Sequence, residues 1–345
     1  MFNFNTYAYA YGEPASTAVF KSSPEDFRVD EILSFKLSGA GEHQFLRIEK
    51  RGLNTEELVR DLAKALKKPM KTISYAGLKD REALTTQWLS VHCPSEEIVN
   101  ASALQGRGWR VLESMRHLKK LKIGGLSANQ FTIVLHDIDN HQAIDTRLDI
   151  IKSGGVPNYF GEQRFGHAGL NILKARDMLL NDVRVKDKFL RGIYYSAARS
   201  FLFNLILSER VLNQTWNNAL SGDVMQLAGT HSIFTCDSPD EEINARIAHR
   251  DISPAAPLYG LGNERMTQDA LESMQNALCN YTDWCDALQK HGLKRMYRAH
   301  ILHASNLTWH LQQPNCLTLS FELVAGAYAT SILRELVKTD RRDRY

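Results

Sequence analysis

The chain has 345 residues, of which 43% are hydrophobic and 23% charged, and its formal net charge is +3. This composition is ordinary for a globular protein, and the length allows two domains or one domain with an insertion. No apolar run approaches the roughly 18 residues that a membrane helix needs, so we expect no membrane partner.

Cysteine usage argues against a disulfide framework and against a thiolate zinc site. None of the five cysteines belongs to a C-x-x-C pair: Cys93, Cys236, Cys279, Cys285 and Cys316. The first residues lack a secretory signal pattern, with no basic residue before Lys21. Together with the unpaired cysteines, this leads us to expect a protein located in the reducing cytoplasm. His300 and His303 have no carboxylate or cysteine beside them, and we expect packing or surface roles rather than a metal site.

Two strands and one clear helix are predicted first. Residues 24–32 predict a short strand after a turn, and residues 44–49 predict a second strand that follows a glycine-containing loop. A helix comes next, because Asn54 and Glu57 have the spacing of a capping box. Its apolar stripe and the proline that ends it are Leu58, Leu62, Leu66 and Pro69.

The segment Ser74–Arg81, S-Y-A-G-L-K-D-R, predicts a strand that runs into a tight turn. Gly77 is expected to let the backbone turn where other residues would clash. Asp80 stands between Lys79 and Arg81, and both cations favour its ionised form. Two interpretations remain open: a solvated, charged surface turn, or a positioned carboxylate that acts as nucleophile or base.

Strand patterns return later in the chain, at residues 87–91, 131–135 and 317–323, and the last of them alternates strictly. Helical patterns occupy the middle, at residues 174–191, 196–220 and 266–289, and a final helix is predicted at 331–337. Strands at both ends with helices between them indicate one sheet, interrupted by a helical insertion from about Gly154 to about Leu302.

Positive charge is concentrated in two stretches. Residues 60–81 contain seven Lys or Arg against two Asp, and residues 107–122 contain six against one Glu. Such clusters beside a site suit a phosphate-rich substrate, because neutralising phosphates releases counterions. Two solvated helix faces would have the same composition.

Four blocks of sequence, spread over almost the full chain, carry a family resemblance: Pro24–Glu31 (P-E-D-F-R-V-D-E), Tyr75–Arg81 (Y-A-G-L-K-D-R) with Thr85, Asn158–Gly166 (N-Y-F-G-E-Q-R-F-G) and Gly326–Thr330 (G-A-Y-A-T). In sequence and in order, they closely resemble the TruD-type tRNA pseudouridine synthases. The resemblance implies an α+β fold, with a catalytic domain around a mainly antiparallel sheet and a largely helical α/β insertion domain. We therefore expect residues 1–153 and 303–345 to form a discontinuous catalytic domain, and residues 154–302 to form the insertion.

The resemblance also implies an activity, the isomerisation of uridine to pseudouridine at position 13 of tRNA, in the D arm. Asp80 corresponds to the family's catalytic aspartate. The residues expected at the target nucleotide are Phe27, Asn129, Tyr328, Phe131 and Lys21. The reaction needs no redox step and no group donor, so we expect tRNA as the partner, with no cofactor, no metal and no obligate protein partner.

Several chemical questions stay open at this level. An ionised aspartate can attack the sugar C1′, attack the base C6 or assist elimination at the sugar, and the cation beside it can be Lys79, Arg81 or Lys21. A uridine inside folded RNA must leave the stack, and an aromatic platform offsets part of that cost, at about 1–3 kcal/mol per stacked base. The Asn129 amide can read the uracil edge. Ordinary core packing of the aromatics, and a turn role for Asn129, are the alternatives.

Two other functions fit parts of the sequence. An RNA-binding module or RNA chaperone would show similar basic clusters and aromatics, with Asp80 as a structural turn residue. A carboxylate-dependent glycosidase usually needs two acidic groups, and no second carboxylate is placed with comparable specificity.

Overall fold

The computed structural model describes residues 4–95, 98, 100–312 and 315–340. The helices within these ranges are α1 Thr55–Ala65, α2 His141–Gly154, α3 Leu170–Leu180, α4 Lys188–Leu212, α5 Glu241–Ala248, α6 Gln268–Leu278, α7 Thr282–Lys290 and α8 Ala329–Leu336. The strands of the first half are β1 Thr17–Phe20, β2 Phe27–Leu33, β3 His43–Arg51, β4 Ile73–Tyr75, β5 Leu84–His92, β6 Gln105–Gly106, β7 Trp109–His117 and β8 Leu126–His136. The later strands are β9 Val156–Pro157, β10 Asp223–Leu227, β11 Ile233–Cys236, β12 Ile252–Leu258, β13 Met296–Ala299, β14 Ile301–Leu302, β15 Ser305–Gln312, β16 Cys316–Val324 and β17 Lys338–Asp340.

The described residues divide into two compact units, each built from separate stretches of chain. The sheet unit comprises Ala15–Leu148, Ala304–Gly326 and Val337–Tyr345, and the helical unit comprises Met1–Pro14, Asp149–His303 and Ala327–Leu336. The expected insertion, residues 154–302, falls within the helical unit, which also includes two short segments from the ends of the chain. The domain boundaries given above stay a prediction.

A large sheet organises the sheet unit. Among the described residues it has eleven strands, with the main order β15-β16-β8-β2-β5-β3-β7-β6, while β1, β17 and β4 pair alongside. The pairs β2/β5 and β1/β17 are parallel, and the other pairs in this sheet are antiparallel. The prediction of an α+β fold around a mainly antiparallel sheet is therefore confirmed.

Helix α1 packs on one face of this sheet. Asn54 Oδ1 accepts a hydrogen bond from the Glu57 amide at 2.8 Å, and Glu57 Oε2 accepts one from the Asn54 amide at 2.9 Å. The predicted capping box is thus present, and a cap of this type stabilises a helix by about 1 kcal/mol. Leu58 and Leu62 are fully buried in a cluster with strand residues such as Leu46.

Helix α4 lies at the centre of the helical unit. Four of its large apolar side chains have no exposed surface: Leu202, Phe203, Ile206 and Leu207. Strands β11-β10-β12-β13 form an antiparallel sheet in the same unit, and these strands were not predicted from the sequence. Arg210 donates to both carboxylate oxygens of Asp223 at 2.8 and 2.9 Å, and both side chains are buried.

Two predicted helices proved to be interrupted. The pattern at 174–191 spans the end of α3 at Leu180 and the start of α4 at Lys188. Asp182 adopts a left-handed φ of 52°, and the Asp187 side chain caps α4 by accepting from the amides of Phe189 and Leu190. The pattern at 266–289 likewise divides into α6 and α7, and α4 ends at Leu212 rather than at 220. A stripe of apolar residues does not reveal such breaks, because local caps decide them.

No helix within the described ranges is long and apolar enough to cross a membrane.

Candidate functional site

The loop between β4 and β5 carries Asp80, and buried polar groups set its shape. Thr55 Oγ1, at the start of α1, accepts a hydrogen bond from the Lys79 amide at 2.9 Å. The same hydroxyl donates to Gln87 Oε1 at 3.1 Å, and Gln87 Nε2 donates to the Gly77 carbonyl at 3.4 Å. The loop is therefore held by side chains of α1 and β5.

Gly77 differs from its predicted role. Its φ lies outside the left-handed region, and a Cβ placed on it would meet no described atom within 4 Å. The expectation that another residue would clash at this position was therefore wrong. The loop is shaped instead by the hydrogen bond that Thr55 accepts from the Lys79 amide and the one that Gln87 donates to the Gly77 carbonyl.

The Asp80 carboxylate is held by two donors. Lys21 Nζ lies 2.6 Å from Oδ2, and the Glu82 amide donates to Oδ1 at 3.0 Å. Burial opposes ionisation of this carboxyl, but the charge and hydrogen bond of Lys21, the Glu82 amide and the charge of Lys50 together lower the pKa of Asp80. Asp80 is consequently ionised at neutral pH.

Of the three cations proposed as partners of Asp80, Lys21 is the one that contacts its carboxylate. Its backbone has a left-handed φ of 59°, which is uncommon for a residue other than glycine. Its Nζ also lies 4.5 Å from the centroid of the Phe27 ring. One ammonium group thus contacts both the carboxylate and an aromatic ring that were expected at the site.

The two cations adjacent in sequence have other partners. Lys79 Nζ lies 2.7 Å from Glu31 Oε1, and Glu31 Oε2 accepts from the Trp88 amide at 2.7 Å. Burial raises the pKa of Glu31, although the charge of Lys79 opposes this effect. Arg81 is exposed and donates to the Gly52 carbonyl at 3.1 Å. Neither side chain is recorded in an ion pair with Asp80 among the described residues.

Three phenylalanines form a continuous row in the sheet unit. The Phe27 and Phe131 ring centroids are 6.0 Å apart, and the Phe131 and Phe321 rings stack at 5.5 Å. Strand register explains the contacts, because Phe131 on β8 lies opposite Phe321 on β16. Phe27 and Phe131 are buried, which is also what core packing would give. Their role at the nucleotide stays a prediction.

Asn129 lies two residues before Phe131 on β8 and therefore points to the same face of the sheet. It is opposite Glu31 on β2 and Leu323 on β16. Its side-chain oxygen is buried and has no hydrogen-bond partner among the residues that the structure describes. A buried acceptor without a partner is costly, so it is suited to a donor that arrives with a substrate.

Tyr328 lies in the helical unit, where its hydroxyl accepts a hydrogen bond from Arg164 Nε at 2.8 Å. Gly161 makes this arrangement possible, since a Cβ there would come within 2.5 Å of Thr330 Oγ1 and 3.0 Å of Tyr328 Cδ1. Gly161 of the Asn158–Gly166 block and residues 327–330 of the last block therefore pack together inside the helical unit. The expected contact of Tyr328 with the target nucleotide stays a prediction.

Sequence reasoning missed two charged residues beside the loop, Glu31 and Lys50. Lys50 Nζ donates to the Asp80 carbonyl at 2.7 Å. A signal for both was present, because each continues an otherwise apolar face of its strand: Phe27, Val29 and Glu31 on β2, and Leu46, Ile48 and Lys50 on β3. A charge on a buried face needs a partner.

In the described part of the chain, no group of three or more His, Cys, Asp or Glu residues is placed to hold a metal ion. His300 is fully buried, and its ring lies 6.4 Å from that of Phe203. Burial lowers the pKa of His303 to about 4, so it is uncharged at neutral pH.

Comparisons with known proteins agree over nearly the full chain. The family model described as tRNA pseudouridine synthase D (TruD) matches residues 3–185 and 170–336. A relative from Legionella pneumophila (strain Corby), named tRNA pseudouridine synthase D, is 51% identical over 330 residues, which cover 95% of this chain and 97% of the relative. A relative of the same name from Hydrogenovibrio crunogenus is 40% identical over 338 residues, covering 98% of this chain and 97% of the relative.

A solved structure has the same fold. It is described as the putative tRNA pseudouridine synthase D (TruD) from Methanosarcina mazei. Its superposition on this chain has a TM-score of 0.74, and the two sequences are 21% identical. The match covers 96% of this chain and 95% of that one.

Proposed function

The chain belongs to the tRNA pseudouridine synthase D family and is an isomerase of uridines in tRNA, and from this premise we propose that Asp80 is its catalytic carboxylate. We further propose that the target is the uridine at position 13, in the D arm. The observation that carries the proposal is the contact of Asp80 with Lys21, which in turn lies over the Phe27 ring.

The reaction requires little from the protein beyond a positioned anion and a shaped site. The bond between N1 and C1′ breaks, the base turns, and a bond between C5 and C1′ forms. The hydrogen at C5 leaves as a proton and N1 gains one, so atoms and electrons balance without a cofactor. An ionised Asp80 can act as the nucleophile or base in this sequence, because its lowered pKa keeps it deprotonated at neutral pH.

Lys21 would keep the carboxylate in one orientation throughout the reaction. Its Nζ has Asp80 on one side and the Phe27 ring within cation–π distance. A nucleophile that is oriented before the substrate arrives does not have to be ordered in the transition state. This support for the proposal is independent of the family resemblance, because it comes from the contacts alone.

The target base would leave the RNA stack to reach Asp80, and its edge would be read by Asn129. The unpartnered Asn129 oxygen can accept from N3–H of uracil, and the amide nitrogen can donate to a uracil carbonyl. Phe27 and Phe131 would contact the base, which offsets part of the cost of unstacking. We also propose that residues 154–302 act as the family's insertion domain.

The proposal is tested with Asp80→Asn, which keeps the size of the side chain and removes its charge. Pseudouridine at position 13 is mapped by selective chemical labelling, since isomerisation leaves the mass of the tRNA unchanged. We expect loss of turnover, with tRNA affinity within about fivefold of wild type, because a change below 1 kcal/mol corresponds to less than about fivefold. Full turnover in this variant would exclude a catalytic Asp80. No product with wild-type protein would favour the alternative, an RNA-binding module.

A further inference from the structure

Lys50 is a lysine with no exposed surface. It is the last but one residue of β3, and its neighbours across the sheet are Thr85 on β5 and Trp109 on β7, both buried. Lysine is almost never fully buried unless it is paired, because removing an ammonium group from water is costly. The contacts of Lys50 therefore need an explanation.

Both recorded contacts of the ammonium group are with main-chain carbonyls. Lys50 Nζ donates to the Leu53 carbonyl at 2.7 Å and to the Asp80 carbonyl at 2.7 Å. Leu53 immediately precedes Asn54, the cap of α1, whereas Asp80 lies on the loop between β4 and β5. One side chain thus ties the loop that carries Asp80 to the connection between β3 and α1.

The charge of Lys50 acts on the same loop. Burial lowers the pKa of Lys50 to about 8, while the Asp80 carboxylate opposes this shift. The other charged groups that act on it are Lys79, which lowers its pKa, and Glu57 and Glu31, which raise it. Lys50 remains mostly cationic at neutral pH, and its charge helps to lower the pKa of Asp80.

We propose that Lys50 is a positioning residue for uridine isomerisation, which fixes the main chain of Asp80 and supplies a second cation near its carboxylate. Lys21 holds the side chain of Asp80, and Lys50 holds its backbone. The inference rests on the proposed catalytic role of Asp80. A glutamine or methionine would fill a similar volume on β3, so a purely structural role would not require an ammonium group there.

The test separates the hydrogen bond from the charge. Lys50→Met removes both, whereas Lys50→Gln keeps an N–H donor without the charge. Gln44→Met is the matched control, because Gln44 is a buried polar residue at the other end of the same strand, six residues or about 20 Å away. Turnover is followed as tritium released from C5 of uridine in tRNA, and rates are expressed per folded enzyme after urea unfolding.

We expect Lys50→Met to lower kcat by about 10- to 100-fold, as a misplaced catalytic group does, with KM within about twofold of wild type. In the plot of kcat/KM against pH, the fall in activity on the acid side reports protonation of Asp80, and we call it the acid limb. It should move to higher pH in both variants, because the cation that helps to lower the Asp80 pKa is gone. Lys50→Gln should recover part of kcat but retain the shifted limb. Gln44→Met should match wild type in both respects.

A packing defect would lower the fraction of active enzyme but would leave the pKa of Asp80 unchanged. An acid limb at the wild-type pH in both folded Lys50 variants would therefore overturn the inference. Wild-type kcat in Lys50→Met would overturn it as well. Asp80→Ala is measured in the same series. If Asp80→Ala retains turnover, the proposed function fails, whereas an inactive Asp80→Ala beside a wild-type Lys50→Met removes only the role of Lys50.

Discussion

Replacement of Lys21 by methionine is the sharpest test of the site, because it removes one charge and keeps the length of the side chain. The structure sets the size of the effect. Lys21 Nζ and Asp80 Oδ2 are 2.6 Å apart, and the two side chains are 15% and 28% exposed. At that separation unit charges attract by about 1.6 kcal/mol in bulk water and by about 6 kcal/mol at an effective dielectric constant of 20.

A partly exposed pair falls towards the lower part of that range. Hydrogen bonds to charged groups contribute about 1.5–3 kcal/mol, so we take about 2 kcal/mol for this one. Loss of this contribution should raise the pKa of Asp80 in Lys21→Met, and one pKa unit corresponds to 1.36 kcal/mol. The sign follows from the cause, because Lys21 stabilises the ionised form and its removal favours the protonated form.

The assay is kcat/KM against pH, which reports the groups of the free enzyme, measured as tritium released from C5 of uridine. The acid limb should move up by about 1–2 pH units relative to wild type, for the reason worked out above. Lys36→Met, at an exposed lysine of the same unit, is the control and should leave the limb in place. An unchanged limb in Lys21→Met would refute the view that Lys21 sets the ionisation of Asp80.

Four further changes have expected outcomes. Asn129→Ala removes an acceptor without a recorded partner, so the free energy of unfolding in urea should change by less than about 1 kcal/mol while kcat/KM falls about tenfold or more. Phe27→Leu removes the ring beside Lys21 and should lower kcat/KM by about 2- to 30-fold, for a cation–π contact of about 0.5–2 kcal/mol; an unchanged value would contradict the contact's importance. The folded-state pKa of Lys50, about 8, is lower than that of an unfolded lysine, so above pH 8 the unfolded state binds more protons and stability rises with pH. The free energy of unfolding of wild type, relative to Lys50→Met, should therefore increase by about 2 kcal/mol between pH 7 and 9.5. Arg210→Met leaves Asp223 buried without its partner and should cost about 3–5 kcal/mol in urea unfolding, with kcat per folded enzyme unchanged.

Local elements followed from the sequence because the interactions that form them are local. The α1 cap depends on Asn54 and Glu57, three residues apart, and its buried stripe repeats with the helical turn. Strict alternation likewise predicted β16, found at Cys316–Val324. The break between α3 and α4 was not predicted, because apolar periodicity continues across residues that the Asp187 cap takes out of the helix.

For the site, the amino-acid sequence alone predicted that Asp80 lies in a loop after a strand, among cations, and the order of the motifs indicated the family. Which cation contacts Asp80 depends on the fold. Lys79, the adjacent residue, pairs with Glu31, whereas Lys21 is 59 residues away and reaches the carboxylate. The physical reason is strand pairing between distant segments. Strand β1 pairs with β8, β8 with β2 and β2 with β5, so the residue after β1 and the loop before β5 belong to one sheet.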